Sequence, residues 1–235
     1  MSEHRERLIK LGSATAFLAL AVVAVLIVVS ANKSSGGDSN NIADVKVVKR
    51  QLAGIPQQGM TIGDPSAKVT LLEFGDLQCP VCKAFASEAV AQIIHRQVRQ
   101  GEAKIDFRNY TIIGPQSVPA GAAAIAAGEQ GHGWNFIELF YRNQGSEDSG
   151  YADDKFLTAI AKGAGVPNIA KWNADRKSSR VLGQVEASTA QAEQLGFSGT
   201  PSFAVEGPGT SGLETIDTTV ADPTAALESA ISAAR

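Results

Sequence analysis

The chain has 235 residues, with 21 Lys and Arg against 24 Asp and Glu, a formal charge of -3, and 44% hydrophobic residues against 19% charged ones. The near-neutral balance excludes a generally basic nucleic-acid binder, and the hydrophobic share excludes a disordered chain. Two cysteines are too few for a disulfide-stapled scaffold, and both fall in one short motif.

Residues 1–10 form a charged tail containing Arg5, Arg7 and Lys10. From Leu11 to Asn32 there is no charged residue, and residues 17–29 are almost entirely Ala, Val, Leu and Ile. As a helix, about 22 residues would extend roughly 33 Å, enough for a hydrocarbon core of about 30 Å. A buried core helix is rarely apolar on every face, and signal-peptide apolar regions usually run to about 7–15 residues. Residues 11–32 therefore read as a single transmembrane anchor. Val29-Ser30-Ala31 resembles a cleavage site, which keeps a cleaved signal peptide as the alternative. Positive charge ahead of the span favours a cytoplasmic tail over residues 1–10 and an extracytoplasmic remainder. Three basic and two acidic residues lie in 1–32, so that remainder carries 18 basic against 22 acidic residues. Residues 33–53 read as a linker, because Ser34-Ser35-Gly36-Gly37-Asp38-Ser39-Asn40-Asn41 has no periodicity and no apolar anchor.

Residues 54–235 are long enough for one core. Residues 69–74, Val-Thr-Leu-Leu-Glu-Phe, read as a buried strand. Residues 80–100 have helical spacing, with Val81, Phe85, Ala89, Ile93 and Ile94 on one side. Residues 103–110 alternate Ile105, Phe107 and Asn109 against Asp106, Arg108 and Tyr110, a second strand. Strand, helix, strand predicts a βαβ unit with parallel strands and an α/β fold class. Residues 118–194 are mostly helical, punctuated by Gly131, Gly133, Gly163, Gly165 and Pro167. Residues 202–205 form a short strand and residues 213–218 a returning one. Asp222-Pro223 opens the last helix as its cap and first residue.

The chemistry sits in Cys79-Pro80-Val81-Cys82, after a strand and opening a helix. Side chains at i and i+3 of a helical turn lie about 5–6 Å apart. A disulfide needs Cβ atoms about 3.5–4.5 Å apart, so a small adjustment closes the ring. Pro80 suits the first helical position, where its missing N–H is not wanted. A free thiol near pKa 8.5 is only about 3% thiolate at pH 7. Cys79 faces the unpaired N–H groups and the positive end of the helix dipole, an effect of at most about 1.5 pKa units. A larger drop needs hydrogen bonds to the sulfur. Cys82, one turn in, is the buried and less reactive partner, so Cys79 attacks and Cys82 resolves. A structural disulfide is the bland alternative, although so small a loop restrains the unfolded chain little. A metal site would need two more ligands from His4, His95 and His132, and nothing pairs them. His95 stands among arginines as a solvated residue, and His132 between two glycines as a loop residue. Neither a metal nor a cofactor is expected.

Glu73 stands mid-strand, six residues before Cys79. Pointing inward, it would have a raised pKa and could move protons for Cys82. Pointing outward from an edge strand, it would be an ordinary carboxylate. Thr200-Pro201 precedes a short strand, where proline marks a turn or a strand start. Its functional reading is a cis peptide beside the dithiol, exposing the Thr200 backbone to an extended substrate peptide.

With these residues placed, the chain resembles the DsbA-like thiol–disulfide oxidoreductases of the thioredoxin superfamily, and among them the membrane-tethered bacterial members. The resemblance covers residues 54–235. It is carried by Gly54-Ile55-Pro56, Glu73-Phe74, Asp76-Leu77-Gln78-Cys79-Pro80-Val81-Cys82, residues 134–144 and Gly196-Phe197-Ser198-Gly199-Thr200-Pro201. It implies a thioredoxin fold with a helical insertion over about 113–195, preceded by the transmembrane helix. It also implies a cis Pro201, Cys79 as nucleophile, Cys82 as resolving thiol, Glu73 as buried acid, and Thr200-Pro201 as the substrate-facing loop. The implied partners are thiols and disulfides of exported proteins, with a quinone-linked membrane enzyme resetting the cysteine pair. The sequence shows no second cysteine pair and no obvious dimerisation domain, which argues against a dedicated dimeric isomerase, and a monomer is expected. Strongly oxidising members carry His where this chain has Val81, and losing that donor makes the disulfide less oxidising. A reductase or isomerase, and a non-catalytic peptide-binding module, stay open as alternatives.

Overall fold

Six strands form one mixed sheet in the computed structural model, which describes residues 42–235. The anchor expected over residues 11–32 lies outside the described residues. Among the described residues no helix is long and apolar enough to cross a membrane. The strands are β1 (Gln57–Gln58), β2 (Thr61–Ile62), β3 (Val69–Gly75), β4 (Ala103–Asn109), β5 (Ser202–Glu206) and β6 (Glu214–Ile216). Their spatial order is β1-β2-β4-β3-β5-β6. β3 and β4 run parallel, as the strand–helix–strand order predicts, and every other pair is antiparallel. β3 is central and almost wholly buried. A strand covered on both faces has no polar side, which is why its sequence does not alternate.

The helices are α1 (Val45–Gln51), α2, α3 (Ser117–Gly128), α4 (Gly133–Arg142), α5 (Asp154–Gly163), α6 (Ile169–Asp175), α7 (Ser179–Gln194) and α8 (Pro223–Ala233). α2 starts as Pro80–Phe85 and continues to residue 98 through two wide π turns, Ala86–Val90 and Ile94–Val98. α3 to α7 lie between β4 and β5 in the chain. One sheet face carries Leu71, Ile105, Phe107, Phe203 and Val205 into a core with Ala89 and Ile93 of α2, Leu227 and Ile231 of α8, and Trp134 and Tyr141 of α4. The opposite face carries Leu72, Phe74 and Ala204, packed with Ala192 of α7 and with Tyr110 and Phe197. The helical block fits closely onto the β1–β2 hairpin. A Cβ at Gly128 or Gly133 would stand 2.5 Å from the Gly59 carbonyl oxygen, so only glycine permits this approach. Asp222 caps α8 through Ala225 N–H, with Pro223 in the first turn, as its sequence predicts.

Four expectations need correction. Residues 42–53 are not linker: α1 buries Val48, Leu52 is buried just behind it, and Ile42 and Val45 pack on the same core. The folded unit therefore starts by residue 42 rather than 54. The stretch misled because α1 is short and its apolar positions are interleaved with Lys46, Lys49 and Arg50. Val81, placed on the apolar side of its helix, is 51% exposed, because it sits in the first turn, ahead of the part of α2 that crosses the sheet. Tyr110, assigned to the polar side of its strand, is buried beyond the end of β4 and donates to Phe197 O at 3.0 Å. The returning strand is limited to β6, shorter than residues 213–218.

Candidate active site

β3 delivers the chain to Asp76, and the next three residues turn it into α2. Asp76 is buried, and its carboxylate accepts Gln78 N–H at 2.9 Å, Ile112 N–H at 2.9 Å and Ile113 N–H at 3.0 Å. The contact to Gln78 is an Asx turn, which reverses the backbone locally. Gln78 Nε2 donates to Ser117 Oγ at 3.0 Å. From the end of α4, Gln144 Nε2 donates to Leu77 O at 2.8 Å and to Cys79 O at 3.0 Å. The Tyr141 hydroxyl donates to Asp76 O at 3.4 Å. The loop between β3 and α2 is thereby held from the strand side and from the helical block.

Cys79 is the N-cap of α2, in extended backbone (φ -72°, ψ 120°), and Pro80 is the first helical residue. Both cysteines are free thiols. Cys79 keeps 4% exposure and Cys82 none, so an incoming sulfur meets Cys79 first. Cys82 N–H donates to Cys79 Sγ at 3.4 Å, and the Cys79 thiol donates to Thr200 O at 3.4 Å. The Cys79 pKa is pulled down to about 6. The main cause is the hydrogen bond from the Cys82 thiol, with the Thr200 hydroxyl and the Cys82 and Val81 N–H groups adding to it against burial. Burial pushes the Cys82 thiol well up, and the Cys79 sulfur beside it pushes the same way. The two sulfurs are thus split into a thiolate and a thiol near neutral pH. A thiolate is the form of cysteine that attacks disulfides, and a thiol one helical turn away is the form that holds a proton.

The Thr200–Pro201 peptide is cis. Thr200 turns its carbonyl to Cys79. Pro80 and Val81 are exposed beside the dithiol. Ile112 (42% exposed) lies in the backbone that Asp76 binds, and Val118 (36%) follows Ser117, which holds Gln78.

Glu73 is 1% exposed on central β3, which overturns the edge-strand alternative. Its Oε1 has no partner, and burial first, then the charge of Glu138, raises its pKa to about 8. Burial also drives the Tyr141 hydroxyl pKa up, and the titratable groups beside it, Cys82, Glu73, Asp76 and Cys79, push the same way. That hydroxyl is common ground between the cysteines and the buried acid. Glu138 of α4 is 2% exposed; burial raises its pKa to about 7, with Arg142 and Gln51 pulling the other way. Sequence reasoning singled out neither Gln144 nor Glu138. Asp76 and Gln78 entered it only as part of a motif, although Asp two residues ahead of a turn position is an Asx-turn signal. His95 is exposed and His132 half-buried.

The family model described as thioredoxin matches residues 56–221. A relative named probable disulfide bond formation protein D, from Bacillus cereus, is 26% identical over 151 residues, 63% of this chain and 69% of that one. The oxidised structure of BdbD from Bacillus subtilis aligns with a TM-score of 0.63 at 20% identity, over 76% of this chain and 96% of that one. A thioredoxin-like oxidoreductase from Silicibacter pomeroyi aligns with a TM-score of 0.57 at 25% identity, over 81% and 95%. The family match runs from ahead of β1 to beyond β6 and encloses Glu73, both cysteines and Thr200–Pro201, so the chain belongs to the thioredoxin family.

Proposed function

We propose that the protein is a thiol–disulfide oxidoreductase that exchanges its Cys79–Cys82 disulfide with thiols of exported proteins. The observation that carries this reading is the split of the two sulfurs: a Cys79 pKa drawn down to about 6 beside a fully buried Cys82 thiol. The disulfide-formation names of its Bacillus relatives support it. In the forward direction a substrate thiolate attacks Cys79 Sγ. The Cys79–Cys82 bond breaks, and Cys82 leaves as a thiolate that takes a proton. A second substrate thiolate then attacks the substrate sulfur of the mixed disulfide, and Cys79 departs as its stable thiolate. The substrate has lost two electrons and the protein has gained them. Glu73 is the acid that protonates Cys82 in the first step and accepts that proton when a partner disulfide reoxidises the pair. Val81, Ile112 and Val118 offer apolar contact to an extended substrate, with Thr200 and Pro201 bordering the Cys79 sulfur. Residues 11–32 tether the domain to the membrane as a single span, with the dithiol outside the cytoplasm.

Direction follows from the thiolate. Thioredoxin holds its nucleophilic cysteine near pKa 7 and DsbA near about 3.5. A Cys79 value between them makes the reduced form more favoured than in thioredoxin, hence the disulfide more oxidising. Equilibration of the full chain with glutathione tests this. The expected potential falls between about -270 mV and about -120 mV, the thioredoxin and DsbA values. A potential at or below that of thioredoxin would reverse the direction to reduction. A Cys82→Ala chain should accumulate mixed disulfides at Cys79 with exported proteins. Full function in a Cys79→Ser/Cys82→Ser chain would leave only peptide binding.

A further inference from the structure

Glu73 is 1% exposed, so a proton that arrives there from Cys82 has little direct contact with solvent and needs a way out. The α4 face opposite β3 supplies one. Trp134, Glu138 and Tyr141 recur at i, i+4 and i+7 and so share one side of α4. The Trp134 ring meets Phe107 edge-on at 6.4 Å, and Tyr141 bonds to Asp76 O, one residue past β3. Phe107 is the register partner of Glu73. Glu138, between those two contacts, is thus directed at the strand position that carries Glu73. Each carboxylate is almost wholly covered, and Oε1 of each is buried without a hydrogen-bond partner. The other oxygen of Glu138 points outward, 3.5 Å from Gln51 Nε2 and 3.8 Å from Arg142 Nε. Arg142 is partly exposed, donates to Gln51 Oε1 at 2.7 Å and pairs with Asp44 at 3.5 Å. The chain of groups therefore runs from the buried strand to the protein surface beside α1.

We propose that Glu138 is a positioning residue for thiol–disulfide exchange: with Glu73 it forms one proton-holding pair that passes the Cys82 proton outward to the Gln51–Arg142 rim. This rests on the proton role given to Glu73 above. When Cys82 attacks the Cys79 mixed disulfide, its proton goes to Glu73 and from there to Glu138. The new sulfur–sulfur bond forms as the partner sulfur leaves with its electron pair. The reverse reaction returns the proton to Cys82. Two covered carboxylates facing each other do not both ionise readily, so a proton on one weakens the hold on the other. The charged and titratable groups around the pair are Arg142 and Tyr141 on α4, Asp44 ahead of α1, Asp76 behind β3, and Cys79 and Cys82 at α2. β1, β2 and α3 contain no ionisable residue, and Asp154, Lys155 and Lys162 of α5 are exposed.

The test is the pH profile of single-turnover reduction by dithiothreitol in the full chain, for the native protein, Glu138→Gln, Glu73→Gln and the double variant. Glu138→Gln is isosteric and keeps a polar group for Gln51 and Arg142. It should shift the proton-dependent limb down by about one pH unit, since Glu73 loses its like-charged neighbour. Glu73→Gln should flatten that limb, and the double variant should match Glu73→Gln alone. An unmoved profile in Glu138→Gln, or a double variant slower than Glu73→Gln, would overturn the proposal and reduce Glu138 to a tie for α1. A native-like profile in Glu73→Gln would instead remove the proton role of Glu73, and the relay with it. The infrared band of protonated carboxyl in the reduced chain reads the pairing without any turnover. Its loss with rising pH should come about one unit earlier in Glu138→Gln, and an unchanged midpoint counts against the pair.

Discussion

Cys79 and Cys82 are three residues apart and differ in chemistry because one caps α2 and the other lies under its first turn. Iodoacetamide at pH 6.5 should therefore label Cys79 alone in the reduced protein, by peptide mapping, and Cys82 should react only after unfolding. Glu73 has the opposite linkage. Its pKa is raised from an ordinary 4.5 to about 8, so its contribution to stability is present at low pH and is lost as the pH rises towards 8. Each unit of that shift is worth about 1.4 kcal/mol. Glu73→Gln should match the native protein in urea midpoint near pH 4.5 and exceed it increasingly up to pH 8. Equal midpoints at pH 8 would mean the carboxyl is not buried in solution. These residues were legible because their signal is local: a spacing, a position in a strand, a proline ahead of a strand. Asp76 meets Ile112 across 36 positions, and Gln144 meets Leu77 across 67. No pattern in one sequence declares such pairs.

At the level of elements, the turn into α2 depends on one carboxylate with three backbone donors. Asp76→Ala leaves these three N–H groups, all at least partly buried, without their acceptor and should cost about 3 kcal/mol, read as a lower denaturant midpoint with unchanged slope. The long elements β3, α2, β4 and α8 were readable from periodicity and capping. α1 and the β1–β2 hairpin were not, since seven and two residues are too few to show a period. A chain begun at residue 54 should accordingly be less stable than one begun at residue 42. Val48 and Leu52 alone bury side chains worth about 1.5–3 kcal/mol each. Equal thermal midpoints for the two would show α1 to be dispensable.

For the molecule as a whole, redox state and stability are linked through one ionisation. The Cys79 pKa is lowered in the folded, reduced protein, so its stabilisation is complete above the unfolded thiol pKa and is lost as the pH falls through about 6. The oxidised protein has no such contribution, and its short ring adds little of its own. The reduced form should therefore unfold at higher denaturant than the oxidised form at pH 8, with the gap closing towards pH 5. A gap independent of pH would mean that the thiolate is not what favours reduction.

The sheet ends on both sides in short strands, two residues in β1 and three in β6. The proposed clients arrive as unfolded chains rich in unpaired backbone. A long, bare margin would let such a chain zip on strand by strand and stay. Margins this brief offer too few rungs for that ladder, which leaves the sulfur bond as the one durable grip on a client, and that grip is released by the exchange itself.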